Sequence, residues 1–271
     1  MGPIGIFDSG YGGLTVLGKI RKALPNYDFL YLGDNARAPY GNRSFDVVHE
    51  FTWQAVQFLF SQGCPLIILA CNTASAKALR TIQQTQLPIH FPDKRVLGVI
   101  RPSTESISEW TKTNHVGVLG TQGTIQSNSY AIELEKFAPE VKLFQHACPM
   151  WVPLIENNYH ESTAGKEIIS EDVNQLLKMS ERIDTIVLAC THYPIIEKQI
   201  SKIAGPTIHV FSQGEIVAKK LVAYLQNHQE IDTNISKDAS ISYFTTEHPS
   251  VFNDKASMFL GESVVASHVH L

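Results

Sequence analysis

Short apolar runs rich in β-branched residues recur along the chain, each followed by small polar residues and then by apolar positions at helical spacing. Ile4 to Phe7, Phe29 to Leu32, Leu66 to Ala70, Val96 to Ile100, Val116 to Leu119, Val141 to His146, Ile183 to Ala189 and Ile208 to Phe211 read as strands. Few polar residues interrupt them, as expected of parallel strands buried on both faces. Ile241 to Thr246 alternates and reads as one more strand. Between these runs, Leu14 to Leu24, Ser44 to Phe60, Ala74 to Gln83, Ile125 to Phe137, Glu167 to Met179, Ile195 to Ile203, Glu215 to Gln226 and Pro249 to Leu260 read as helices. In the longest, Phe45, Val48, Phe51, Ala55, Phe58 and Leu59 mark a core-facing stripe. His228 to Asp238 is polar and reads as a loop. Strand and helix alternating in this way predict an α/β fold of doubly wound parallel sheets.

Two echoes inside the chain refine that prediction. Ile68-Leu69-Ala70-Cys71-Asn72-Thr73 resembles Val187-Leu188-Ala189-Cys190-Thr191-His192, and the opening Ile4-Gly5-Ile6-Phe7-Asp8-Ser9-Gly10 resembles Val116-Gly117-Val118-Leu119-Gly120-Thr121-Gln122. The echoes come in the same order, which predicts two pseudo-symmetric α/β halves facing a central cleft. The expected division is residues 1–99 as a first domain completed by 209–271, with 100–208 as the second. Arg101-Pro102-Ser103 marks the first crossing.

Composition narrows the class. At 271 residues, 44% apolar and 18% charged, with a net charge of −4, the chain is an ordinary globular one with a real core. It holds no lysine or arginine run, so no nucleic-acid partner is expected. No apolar stretch is long enough to span a membrane, and Met1-Gly2-Pro3-Ile4 enters a strand without a signal-type segment. The four cysteines, 64, 71, 148 and 190, have neither zinc-ligand spacing nor disulfide density and fit a reducing cytoplasm. Cys64 and Cys148 read as packing, and His268 and His270 as a solvated tail, so no metal is expected.

Cys71 and Cys190 differ from the other two, since each falls between the carboxyl end of a strand and the start of a helix, where open α/β sheets bind ligands. The free N–H groups of a helix start are expected to lower a thiol pKa from about 8.5. Two thiols on opposite sides of a substrate suit racemisation: one removes a proton from a carbon, the other returns one to the far face. Asp8, at a neighbouring strand end, is the candidate companion of Cys71, and His192 that of Cys190. Glu156 ends an apolar run and could reach the cleft. The Asp8-to-Gly13 turn could admit a small anion, and the irregular loop Gly33 to Gly41 could line a site. The residues alone leave two other classes open, a cysteine–histidine acyl-transfer enzyme and a non-catalytic amino-acid binding protein.

Asp8-Ser9-Gly10-Tyr11-Gly12-Gly13, Gly33 to Gly41 (GDNARAPYG), Ala70-Cys71-Asn72-Thr73-Ala74 and Ala189-Cys190-Thr191-His192-Tyr193-Pro194 together resemble the bacterial glutamate racemases, over essentially the whole chain. The resemblance implies cofactor-independent, two-base interconversion of L- and D-glutamate in the cytoplasm by a homodimer, supplying D-glutamate to peptidoglycan synthesis. A racemase of another amino acid, such as aspartate, is the nearest alternative. It implies that Cys71 removes the proton from D-glutamate and Cys190 from L-glutamate, with Asp8, His192 and Glu156 as auxiliary acid–base groups. Substrate contacts carry over onto Asp8, Ser9, Tyr40, Gly41, Asn72, Thr73, Thr191 and His192, and the α-carboxylate onto Thr121 and Thr124. Some members carry an N-terminal extension tied to activation by a cell-wall precursor; no such segment precedes Met1, and that control is not expected. Ser103 and Phe211-Ser212-Gln213 depart from the family pattern, and both lie at the expected crossings, where they bear on hinge geometry or dimer contacts.

Overall fold

The computed structural model describes residues 1–271, the side chain of Met258 apart. Its strands are Ile4–Asp8 (β1), Phe29–Gly33 (β2), Leu66–Leu69 (β3), Arg95–Gly98 (β4), His115–Gly120 (β5), Lys142–Ala147 (β6), Thr185–Ala189 (β7), His209–Ser212 (β8), Ile241–Thr245 (β9) and Ala266–His268 (β10). All pair in parallel, in two sheets of order β10-β9-β2-β1-β3-β4 and β6-β5-β7-β8. The inner order of the first sheet, β2-β1-β3-β4, is repeated as β6-β5-β7-β8. The two halves are therefore pseudo-symmetric, as the echoes predict, and the first carries two extra strands at one edge.

Alternation along β1 shows how the first sheet is covered on both faces. Ile4 and Ile6 pack with Leu14, Leu17 and Ile20 of the helix Gly13–Ala23 and with Leu221 of Gly214–Asn227. Phe7 points the other way, into a layer with Val48, Ala55 and Leu59 of Phe45–Ser61. Each of these side chains is fully or almost fully buried, worth about 1.5–3 kcal/mol apiece against exposure. Cys64 belongs to that second layer and would be 3.2 Å from a side chain on Gly5, as its reading as packing requires.

Several elements differ from the expectation. Strand β8, expected to open the return to the first half at residue 209, pairs with β7 in the second sheet. The return begins after it, at Gln213, because Val210 and Phe211 bury against the second half's cores. The strand expected through Ile100 stops at Gly98, and Ile100–Thr104 is a helical turn. The helix expected from Ile125 is two, Gln122–Gln126 and Ser129–Phe137, because Asn128 adopts a left-handed conformation at φ 54°. The helix expected from Ala74 starts at Asn72, breaks at Ala78 and continues irregularly to His90. Phe45 is not core: it opens its helix, is 46% exposed and carries the Lys77 amine 4.8 Å above its ring. The polar stretch after His228 holds a short helix, Gln229–Asp232, with Ile231 and Ile235 buried. Among the described residues, no helix is long and apolar enough to cross a membrane.

Candidate active site

In a sheet of order 2-1-3-4 the chain reverses direction between the first and third strands, and the crevice for a ligand opens at their carboxyl ends. Asp8 ends β1 and Cys71 follows β3; Thr121 follows β5 and Cys190 follows β7. The two crevices face one another. Between them lies a small cavity of about 40 Å³ lined by both thiols. Ser9, Tyr40, Gly41, Asn72 and Thr73 line it from the first half. Thr121, Glu156, Thr191 and His192 line it from the second. Asp8 and Thr124, both fully buried, stand one layer behind this wall.

Cys71 caps the short helix Asn72–Lys77, its sulfur accepting from the Ala74 N–H at 3.4 Å. The Ser9 hydroxyl is also 3.4 Å from that sulfur. Asp8, expected beside Cys71, hydrogen bonds elsewhere: its carboxylate accepts from Gly10 N–H at 3.0 Å and, across the cleft, from the Thr191 hydroxyl at 3.2 Å. Burial, reinforced by the Asp8 charge, pushes the Cys71 thiol up to about 12. This corrects the expectation of a lowered pKa: at 5% exposure the cost of burying a thiolate outweighs the N–H groups of one helical turn. Burial likewise raises Asp8, against His192 and the N–H groups of Gly13 and Gly10.

The second thiol has different company. Cys190 Sγ lies 4.0 Å from His192 Nδ1, and His192 Nε2 lies 2.9 Å from Glu156 Oε1. Burial alone would lower the imidazole, but its partners Cys190 and Glu156 outweigh burial and hold it up at about 10. Glu156 is lowered correspondingly: the bond and charge of His192 overcome its burial. Protonated, His192 donates from both nitrogens, linking the Cys190 sulfur to a carboxylate.

Hydroxyls meet across the far end of the cavity. Thr73 Oγ1 lies 2.9 Å from Thr121 Oγ1, which lies 3.0 Å from Thr124 Oγ1. Beside them the Gly123 N–H donates to Gly41 O at 2.8 Å. Gly41 has no room to spare, as a Cβ there would be 3.0 Å from Thr121 Cβ. Tyr40 hydrogen bonds through its hydroxyl to buried Asp34, itself paired with Arg37 at 2.7 Å. The side chain of Asn72 turns to Gln213 and Tyr130.

The sequence reading does not anticipate the apolar wall of the cavity, Pro149, Val152 and Pro153, or that Cys148 reaches it as well as the second core. The Val152-to-Glu156 segment forms part of the helix Trp151–Glu156, which carries Glu156 toward His192. Nor is the role of Gly12 anticipated. A Cβ there would be 2.5 Å from His192 Nδ1 and nearer still to Thr191, so this glycine seats the opposite half. Cys148, His146 and Asp172 lie close together, but His146 and Trp151 already hydrogen bond both carboxylate oxygens of Asp172 at 2.9 and 2.6 Å.

The model of the Asp/Glu/Hydantoin racemase family matches residues 6–220. The chain is 36% identical over 269 residues to the glutamate racemase of Streptococcus suis, covering 99% of this chain and 98% of that one. Over 270 residues it is 36% identical to the enzyme of the same name from Streptococcus thermophilus, covering 99% and 96%. Among solved structures, glutamate racemase isoform RacE1 of Bacillus anthracis superposes with a TM-score of 0.90 at 34% identity, over 100% of this chain and 98% of that one. The glutamate racemase of Francisella tularensis, in complex with D-glutamate, superposes with a TM-score of 0.86 at 31% identity, over 99% and 97%. With the family model spanning most of its length and relatives matched end to end, the chain belongs to the Asp/Glu/hydantoin racemase family of isomerases.

Proposed function

We propose that this protein interconverts L- and D-glutamate by a two-base mechanism that needs no cofactor. One observation carries the reading: two equivalent strand ends in two equivalent sheets each deliver a cysteine to the same cavity. Glutamate is the substrate favoured by full-length relatives bearing that name. The likeness to an aspartate racemase of Picrophilus torridus, at 19% identity and a TM-score of 0.57, extends to the fold alone.

In the D-to-L direction the Cys71 thiolate takes the α-proton. The electron pair left on carbon passes into the carboxylate as an enediolate, and the Cys190 thiol returns a proton on the opposite face. L-Glutamate leaves with Cys71 as thiol and Cys190 as thiolate; the reverse reaction exchanges the roles. The Thr73 and Thr121 hydroxyls receive the α-carboxylate, where charge grows in the transition state, and Thr124 holds Thr121 from behind. Burial holds Cys71 as a thiol, ready to act as acid toward L-glutamate. The substrate ammonium brings a positive charge beside Cys71 and Asp8 and eases formation of the thiolate for the other direction. His192, between Cys190 and Glu156, exchanges the second thiol's proton. Glutamate would enter between the halves, which the Gly123–Gly41 and Thr191–Asp8 hydrogen bonds join across the cavity. The D-glutamate formed supplies peptidoglycan synthesis.

Circular dichroism tests this directly. Purified protein with L-glutamate and no addition should bring the signal to zero, as should D-glutamate, while aspartate stays optically active. A steady signal with both glutamates would overturn the proposal, and racemisation of aspartate in preference to glutamate would reassign the substrate.

A further inference from the structure

A closed hydrogen-bonded ring lies behind the Cys71 turn, at the place where the chain makes both of its crossings between the sheets. Asn72 donates from Nδ2 to Gln213 Oε1 at 2.7 Å, Gln213 Nε2 donates to the Tyr130 hydroxyl at 2.7 Å, and that hydroxyl donates to Asn72 Oδ1 at 2.9 Å. Each of the three side chains both donates and accepts within the ring. The Gln213 amide is held the right way round by neighbours outside the ring: Nε2 is 3.0 Å from Val99 O and 2.7 Å from Ser103 Oγ. Turned over, it would set one carbonyl oxygen against another. All four side chains are at most 5% exposed, so none can exchange these partners for water, and each bond polarises the next.

The partners come from four parts of the fold. Asn72 follows Cys71, Val99 and Ser103 form the first crossing, Tyr130 sits in the second half's helix Ser129–Phe137, and Gln213 starts the second crossing. None of the ring's bonds involves the turn that carries Cys190, whose companion is His192. We propose that Gln213 is a positioning residue for Cys71. Anchored at both crossings, its amide fixes the Asn72 side chain and so the start of the helix that aims the Cys71 sulfur into the cavity. The two departures from the family pattern, Ser103 and Gln213, are thus a bonded pair that reaches the reacting end of the first half. The proposal rests on reading Cys71 as one of the two catalytic thiols.

Selective alkylation tests it without relying on turnover. Wild type and the Gln213→Ala, Gln213→Glu and Tyr130→Phe variants are treated with iodoacetamide, and modification of Cys71 and Cys190 is followed by peptide mass spectrometry. Opening the ring should raise the Cys71 rate relative to Cys190 by roughly tenfold, the weight of one buried hydrogen bond. Tyr130→Phe keeps the packing and covers the case in which Gln213→Ala does not fold. Gln213→Glu should approach the wild-type ratio as pH falls, because a protonated carboxyl can donate its one hydrogen to the Tyr130 hydroxyl and close the ring, whereas a carboxylate cannot. An unchanged ratio with only a lower melting temperature, or equal acceleration of both thiols, would overturn the proposal by showing that Gln213 merely stabilises. A changed ratio in a protein whose wild type does not racemise glutamate would leave the positioning intact and defeat the proposed reaction instead.

Discussion

Replacing Gly12 with alanine adds one methyl group where the helix Gly13–Ala23 meets the opposite half. The backbone accepts it, with φ −57° and ψ −35°. Space does not: the new carbon would lie 2.5 Å from His192 Nδ1 and 2.9 Å from His192 Cε1. Reaching ordinary contact requires the ring to retreat by about 1 Å. The ring is not free to do so, being 4% exposed and 2.9 Å from Glu156. Overpacking of this kind costs about 1–3 kcal/mol, and a misplacement of about 1 Å at a reacting group can cost on the order of 100-fold in rate. Gly12→Ala should therefore fold with a stability loss of about 1–3 kcal/mol by urea titration, and its kcat by circular dichroism should fall by about two orders of magnitude. Gly18→Ala is the control. It lies in the same helix, where among the described residues the added carbon meets nothing nearer than Leu260 at 3.9 Å, and it should gain up to about 1 kcal/mol at unchanged kcat. A Gly12→Ala enzyme with wild-type kcat would show that the seating of His192 by this glycine is irrelevant to turnover.

Cys71→Ala and Cys190→Ala should each abolish racemisation, while Cys64→Ala, buried away from the cavity, should cost about 1 kcal/mol and leave kcat unchanged; substantial activity in either of the first two variants would remove the two-base assignment. In deuterated water, early product should carry solvent deuterium and recovered substrate little, and early deuterium in recovered substrate would point to a single shared base. Thr121→Val removes the hydroxyl shared by Thr73 and Thr124 and should lower kcat/KM about tenfold; an unchanged kcat/KM would free these hydroxyls of the carboxylate. His192 binds its proton more tightly in the folded state, about 10 against 6.5. Its contribution to stability is therefore complete below pH 6.5 and lost as pH rises through about 10. His192→Asn should flatten that decline in urea titrations, and an identical slope in both proteins would contradict the geometry.

The doubly wound pattern is legible because strands buried on both faces leave long β-branched runs, as in β1, β3 and β7. The two-half plan is legible because the echoes fall on the same strands of matching sheets. What is not legible is set by distant partners. Nothing in Val210-Phe211 says which sheet β8 joins, since either crevice edge would bury it. The split of the helix near Asn128 hangs on one left-handed residue, a conformation that asparagine tolerates but does not demand. Gly12 and Gln213 announce no contact partner along the chain, because theirs, His192 and Asn72, lie far away in sequence. The thiol environment fails as a prediction for a similar reason: a helix start is visible in the sequence, but the depth at which Cys71 is buried is not.

The order of pairing in the first sheet has a consequence for how the chain is made. Strand β2 is flanked by β1 on one side and by β9 on the other, and β9 and β10 leave a ribosome long after β2 does. The second sheet, β5 to β8, can complete all its pairings while that edge of β2 is still bare. The helix Gly13–Ala23 also waits, for Gly214–Asn227 to cover it. A nascent chain thus exposes the unpaired backbone of Phe29–Gly33 for the time needed to synthesise roughly two hundred residues, about 10–40 s at ordinary elongation rates. Such an edge is a template for intermolecular pairing. Translation stalled or terminated before Ile241 would therefore yield a finished second half tethered to an adhesive first one, and folding yield should depend on how quickly β9 and β10 arrive.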